Sequence, residues 1–153
     1  MSNEQEQQAV FSIEKIYVKD LSLEIPHAPQ VFLVRETPQV EVQLHHQGGI
    51  MEEGVYEVVL TVTVTAKLPE DKTLFLVEAA QAGIFQIRNI PQEDLEPILG
   101  ITGPNILFPY VREVISDMVS RAGFPPVLLN PVNFDVLYQQ RLAEQEAGAA
   151  TAH

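Results

Sequence analysis

Asp20 and Glu24 stand four residues apart in KDLSLEIPHAP, where Asp20, Ser22 and Glu24 alternate with Leu21, Leu23 and Ile25. On a strand that spacing puts both carboxylates on one side, about 13 Å apart at ~3.3 Å per residue. Glu14 falls on the same side by parity, and Glu78 joins them if a later strand, with Leu76 beside Glu78, presents the same face. Such a row is either the solvated outer face common in antiparallel sheets or a surface that holds a basic partner. His45-His46 invites a metal, but neighbours on a strand point to opposite faces and do not share one ion. Polar residues at a strand end, beside Gly48-Gly49, are the ordinary reading of that pair. His27 is alone in a loop and His153 ends the chain. Cysteine is absent, which excludes disulfides and thiolate metal sites. The remaining nucleophiles are Ser and Thr, without a G-x-S-x-G elbow. There is no P-loop and no G-x-G-x-x-G; Gly100 and Gly103 near Pro104 read as a turn. An enzyme, a metal and a cofactor are therefore not expected.

Charge narrows the partners. The 153 residues carry a formal net charge of −12, with 46% hydrophobic and 20% charged residues. This is a globular composition of a length that suits one domain. Its field repels nucleic acid and anionic membrane and steers basic partners inward. No apolar run is long enough to span a bilayer. MSNEQEQQAV has neither the basic nor the apolar region of a signal peptide, so a cytoplasmic protein is expected.

The scaffold for these groups is set by periodicity. Residues 11–25 alternate imperfectly, with Ile16 and Val18 falling on the polar parity; residues 40–44 alternate cleanly. VYEVVLTVTVTAKL, 55–68, is β-branched and the strongest strand signal. A turn at 69–72 leads to a fourth strand over Thr73–Ile87. Four strands in succession predict an antiparallel sheet. After residue 90 the period becomes helical. IPQEDLEPILG predicts a short helix ended by Gly100. The next, main helix carries Leu107, Tyr110, Val111, Val114, Ile115, Met118, Val119 and Ala122 as a wide stripe. Gly123 and Pro125-Pro126 stop it. A last helix starts near residues 130–133, with Phe134, Leu137, Tyr138 and Leu142 on one face. The expected fold is α+β: a four-stranded antiparallel sheet with a long helix and a C-terminal helix packed on one side. The domain is placed at 9–143, between flexible tails at 1–8 and 144–153.

Two constellations remain. Prolines hold PHAPQVFLVRETPQV, residues 26–40, in an extended path, yet Val31, Phe32, Leu33 and Val34 are too apolar for a free loop. The segment either packs on the domain or lines a surface for other apolar chains. A single-layer sheet covered on one side also leaves apolar surface over, which predicts a homo-oligomer.

The run ITGPNILFPYVREVISDMVSRAGFPPVLLNPVNFDVLY, with FSIEKIYVKDLSLEIPHAP and VYEVVLTVTVTAKL, resembles the bacterial export chaperone family SecB over about residues 10–142. The resemblance implies an ATP-independent cytoplasmic holdase that assembles as a homotetramer, a dimer of dimers. It would hold unfolded precursor polypeptides and pass them to the motor ATPase SecA. It implies that Asp20, Glu24, Leu76 and Glu78 dock the motor. In the F-L-x-E-x-x-Q segment, Val77, Ala79 and Gln81 would bear on assembly, with Val111, Ile115 and Met118 of the helix at the oligomer interface. The client groove would be lined by Val31, Phe32, Val40, Val42, Leu44, Phe134, Leu137, Tyr138 and Leu142. Glu36 stands where the family pattern expects a large aromatic, the turn at 69–73 is one residue longer, and Glu144 and Glu146 are the acids of a short tail. The rival reading is an acidic homo-oligomeric adaptor whose sheet holds one folded basic partner.

Overall fold

A computed structural model describes residues 8–151 of the chain. Most of the tail expected at 1–8 lies outside the described residues. Four strands form one antiparallel sheet: β1 (Val10–Glu24), β2 (Gln39–Glu52), β3 (Val55–Leu68) and β4 (Lys72–Arg88), in the order β1-β4-β3-β2. β1 and β2 are therefore the edges. Helical structure runs from Gln92 to Arg121 as α1 (Gln92–Pro97), a π-helical turn (Ile98–Thr102) and α2 (Gly103–Arg121). The last helix, α3, spans Phe134–Thr151.

The imperfect alternation of β1 has a local cause. Its pairing with β4 slips between Ile13 and Lys15 and again between Val18 and Asp20. Each slip is a β-bulge, and one extra residue restores the phase. Ile13 pairs with Phe85 and Val18 with Gln81 on the covered face, whereas Lys15, Tyr17 and Asp20 pair with Ile84, Ala82 and Ala80 on the other. Glu14 sits in the first bulge, where its carboxylate accepts from Ser12 Oγ at 3.4 Å on the outer face that also carries Asp20.

The core lies between α2 and the inner face of the sheet. Val58, Leu60, Val62 and Val64 of β3, Val77 and Phe85 of β4, and Leu107, Val111, Ile115 and Val119 of α2 are all buried. The helix residues recur at four-residue spacing, the centre of the stripe read from the sequence. Tyr110, on the shoulder of that stripe, is 50% exposed.

Three boundaries differ from expectation. β2 continues to Glu52 rather than ending at His45-His46 beside Gly48-Gly49. Gly100 does not end a helix; it lies inside the π-helical turn. Residues 144–151 extend α3 instead of forming a tail. The start of α3 is as expected: the Asn133 side chain accepts the Val136 N–H at 3.1 Å, a cap for an otherwise open helix end.

Candidate functional site: an edge-strand groove and an acidic face

Val40, Val42, Leu44 and His46 of β2 pair with Ala66, Val64, Val62 and Leu60 of β3, on the face that α2 covers further in. At the sheet edge this cover gives out, and Val40 and Val42 remain 46% and 43% exposed. The far wall is the chain between α2 and α3, residues 122–133. Pro125, Pro126 and Pro131 have no N–H to donate and keep it out of regular structure. Between these walls three cavities follow one another along β2.

The first, of about 470 Å³, is lined by the proline loop (Val31, Phe32, Val34, Glu36), Val40, Leu74, Phe75, and Gly123 to Val127. Its rings form a cluster: Phe32 stacks on Phe124 with centroids 5.2 Å apart, and Phe75 lies 5.0 Å from Phe124. Gly123 makes this possible. It ends α2 at φ +93°, and a Cβ there would come 3.2 Å from the Phe32 ring. The second cavity, about 460 Å³, joins Val40, Val42 and Leu44 to Phe108 and to Val127–Val132. The third, about 420 Å³, is more polar, with His45, His46, Gln47, Glu96, Tyr138, Arg141 and Gln145 around Leu99, Gly100 and Leu142. Here the Tyr138 ring rests on Gly100, where a Cβ would come within 2.8 Å of it. His46 meets Phe134 edge-on, with centroids 6.4 Å apart. Burial, and then the charge of Arg141, hold its imidazole below the usual histidine range.

Phe32, Val40, Val42, Leu44, Tyr138 and Leu142 thus line these cavities, of which the first two share Val40 and Val127. Val31 lines the first too but is buried. Phe134 is only 1% exposed and packs against Phe108, supporting the wall rather than presenting itself. Leu137 is exposed outside the three linings. The connector 122–133, with Phe75 and Phe108, is the part that sequence reasoning misses. Its apolar run FPPVLLNPV is the available signal, masked by prolines that read first as a helix stop.

The opposite face carries the carboxylates. Asp20 pairs with Ala80, Ser22 with Glu78 and Glu24 with Leu76, so Asp20, Glu24, Leu76 and Glu78 share one patch across two adjacent strands. None of these three carboxylates has an ion-pair partner among the described residues. The nearby cation, Lys19, is engaged elsewhere: its Nζ donates to Glu57 Oε1 at 2.8 Å, and the Tyr17 hydroxyl donates to the same carboxylate. Those two hydrogen bonds hold Glu57 below the usual carboxylate range, that of Lys19 first. They also push Lys19 and Tyr17 above their ordinary values.

Of the residues expected at an oligomer interface, Val77, Ala79, Gln81, Val111 and Ile115 are buried within the single chain. Met118 is half-buried beside them. Gln81 Nε2 donates to the Tyr17 carbonyl at 3.1 Å, while its Oε1 is buried without a partner among the described residues. It borders a cleft of about 550 Å³ between β1 and α2, with Ile16, Val18, Tyr110 and Val114. His45 and His46 take opposite faces, paired with Thr61 and Leu60. Among the described residues no group of three His, Cys, Asp or Glu is placed to hold a metal, and no helix is long and apolar enough to cross a membrane.

The family model described as preprotein translocase subunit SecB matches residues 4–145. The chain belongs to the SecB family. The protein-export protein SecB of Methylobacillus flagellatus is 67% identical over 150 residues, covering 97% of this chain and 95% of that one. The SecB of Chromobacterium violaceum is 66% identical over 151 residues, covering 98% and 100%. Among solved structures, the Mycobacterium tuberculosis Rv1957 SecB-like chaperone, in complex with a ChAD peptide from the HigA1 antitoxin, superposes with a TM-score of 0.65. It covers 80% of this chain and 90% of that one at 16% identity, a likeness of fold. The SecB family is one of protein-export chaperones, and the four-stranded sheet with a long and a C-terminal helix is its fold.

Proposed function

We propose that this chain is an ATP-independent holdase of the cytoplasm that keeps precursor polypeptides unfolded and delivers them to the SecA motor. The observation that carries this reading is the line of three open cavities along β2, the first two largely apolar and the third more polar. A folded partner would need one matching surface, whereas an extended apolar segment needs a long path with repeated hollows. Each hollow holds weakly, and several together hold by effective concentration. Binding the unfolded state draws a client away from its native fold, so slow folders are caught and fast folders escape.

Delivery is assigned to the patch of Asp20, Glu24, Leu76 and Glu78, on the far side of the sheet from the groove. Assembly is assigned to a homotetramer, a dimer of dimers. Support for it comes from the exposed apolar residues Phe11, Ile13, Val18 and Leu21 on the edge strand β1 and Tyr110 on α2.

The test is suppression of aggregation of a reduced, denatured client at stoichiometric chaperone, with sedimentation to establish the assembly. A holdase suppresses it; an acidic adaptor for a folded basic partner does not. Asp20→Ala and Glu24→Ala are expected to weaken SecA binding and spare client binding. Equal loss of both would overturn the separation of the two surfaces.

A further inference from the structure

On the outer face of the sheet, away from α2, Ala82 is fully buried and Val59 nearly so. Cover for them comes from β1. Tyr17 pairs with Ala82, and Ala82 with Val59, while the Tyr17 hydroxyl donates to Glu57, two strands away on β3. To reach it the ring crosses β4, where the small side chain of Ala82 leaves room. Lys19 Nζ donates to the same carboxylate at 2.8 Å. Glu57 therefore holds the segment between the two bulges, through Tyr17, and the extra residue of the second bulge, Lys19.

These bonds fall where β1 has two possible pairings. Before the bulges Ile13 pairs with Phe85; after them Asp20 pairs with Ala80, Ser22 with Glu78 and Glu24 with Leu76. Had the first pairing run on without slips, the second half of the strand would keep its faces but sit two residues further along β4. Asp20 would then stand opposite Glu78, and Glu24 opposite Leu74. Like charges directly opposite are destabilising, and the carboxylates would lose their present places around Leu76. Only the segment from Lys15 to Lys19 would turn over, sending Tyr17 and Lys19 inward and Ile16 and Val18 outward. Its apolar residues do little to choose between the two: on the covered face Ile16 is half-buried and Val18 is 43% exposed.

We propose that Glu57 is the positioning residue of the docking patch: by holding Tyr17 and Lys19 on the outer face it keeps both bulges in β1, and so sets the two-residue offset that places Glu24 opposite Leu76 and Asp20 clear of Glu78. This role rests on the assignment of Asp20, Glu24, Leu76 and Glu78 to the motor. The Lys19 bond has a second effect. It draws the ammonium away from Asp20, its neighbour in sequence, and leaves the patch open to the cations of a partner.

The chain has no cysteine, so disulfide trapping in the full chain reads the register. Ser22→Cys and Glu78→Cys are directly opposite in the present pairing, within disulfide reach. Ser22→Cys and Leu76→Cys come opposite only after the slip. Glu57→Ala and Tyr17→Phe are expected to move cross-linking from the first pair toward the second. In the cysteine-free chain, Glu57→Ala should weaken SecA binding about three- to tenfold in titration calorimetry, with suppression of client aggregation unchanged. Glu57→Gln, which keeps one acceptor oxygen, should recover part of the loss. Added to Asp20→Ala, Glu57→Ala should weaken binding little further, because residues acting through one another are not additive. Cross-linking that stays with the first pair in both Glu57→Ala and Tyr17→Phe would overturn the proposal. So would a loss of SecA binding that adds in full to that of Asp20→Ala, the mark of a direct contact. Asp20→Ala and Glu24→Ala without effect on SecA binding would instead remove the docking assignment, while the cross-links still decide what sets the register.

Discussion

His46 is the residue at which pH reaches the docking of α3. It is half-buried in β2, edge-on to Phe134 and close enough to Arg141 to feel its charge. Its folded pKa lies below the ordinary value of about 6.5, so the unfolded chain takes up the proton first. Its contribution to stability is full above that value and is lost as pH falls below it toward the folded pKa. The unfolding midpoint is expected to drop between about pH 7.5 and about pH 5.5, and His46→Gln should flatten that slope. An unchanged slope in the variant would place the effect elsewhere. Glu57 acts in a different window. Its lowered pKa gives stability above the usual carboxylate range that is lost on acidification through the folded value. The raised pKa of Lys19 matters only at alkaline pH, and its share is lost as pH rises through the folded value. The opposite facing of His45 and His46 is legible from the two-residue period of a strand. The half-burial of His46 is not, because Gly48-Gly49 reads as a strand end. Gly48 is there for another reason: a Cβ would come 3.3 Å from Leu99, and glycine in a strand marks such close approach.

Among the elements, the same ambiguity concerns Gly100. A glycine after a short helical pattern reads as a terminator, but here it makes room for a ring from a segment nearly forty residues on. Gly100→Ala should push Tyr138 away and speed amide exchange in α3, while α2 is protected as before. A helical alanine is also the better helix former by about 1 kcal/mol, so the global midpoint need not fall with the loss of docking. α2 itself is well legible, since its four-residue spacing of buried positions leaves little choice of face. Ile115, fully buried on that face, is a core residue; Ile115→Ala is expected to cost about 2–5 kcal/mol in urea unfolding. A change in assembly without that loss would return it to an interface. The β3–β4 turn falls where the sequence puts it, but its conformation is not legible: Glu70 and Asp71 both adopt left-handed backbone, at φ 68° and 61°. Glu70→Asn with Asp71→Gly suits such a turn, and the double substitution is expected to stabilise the chain by about 1 kcal/mol.

The whole molecule is readable as far as one period change carries it. Strands before residue 90 and helices after it give the α+β arrangement, and the outer acidic row follows from parity once the strands are in register. The groove is half readable. β2 and the proline loop can be assigned, but the far wall has no period, and only three-dimensional packing brings Phe124 and Val127 opposite Val40. Charge acts at this scale as well. With a net charge of −12, capture of a basic client should slow as salt rises and the field is screened. Stopped-flow association rates at low and high salt measure this; rates independent of salt would mean that apolar contact alone governs encounter. Finally, the two bulges in β1 make its length partly a free variable. Glu14 and Lys19 are the residues left over in its pairing with β4. Removing either should heal a bulge and leave Leu21, Leu23, Asp20 and Glu24 on their present faces. Removing Tyr17 instead should turn over one whole segment of the strand. The edge strand can therefore lose a residue at two places without exchanging what it shows for what it hides, and circular dichroism and SecA binding of the three deletion variants would tell them apart.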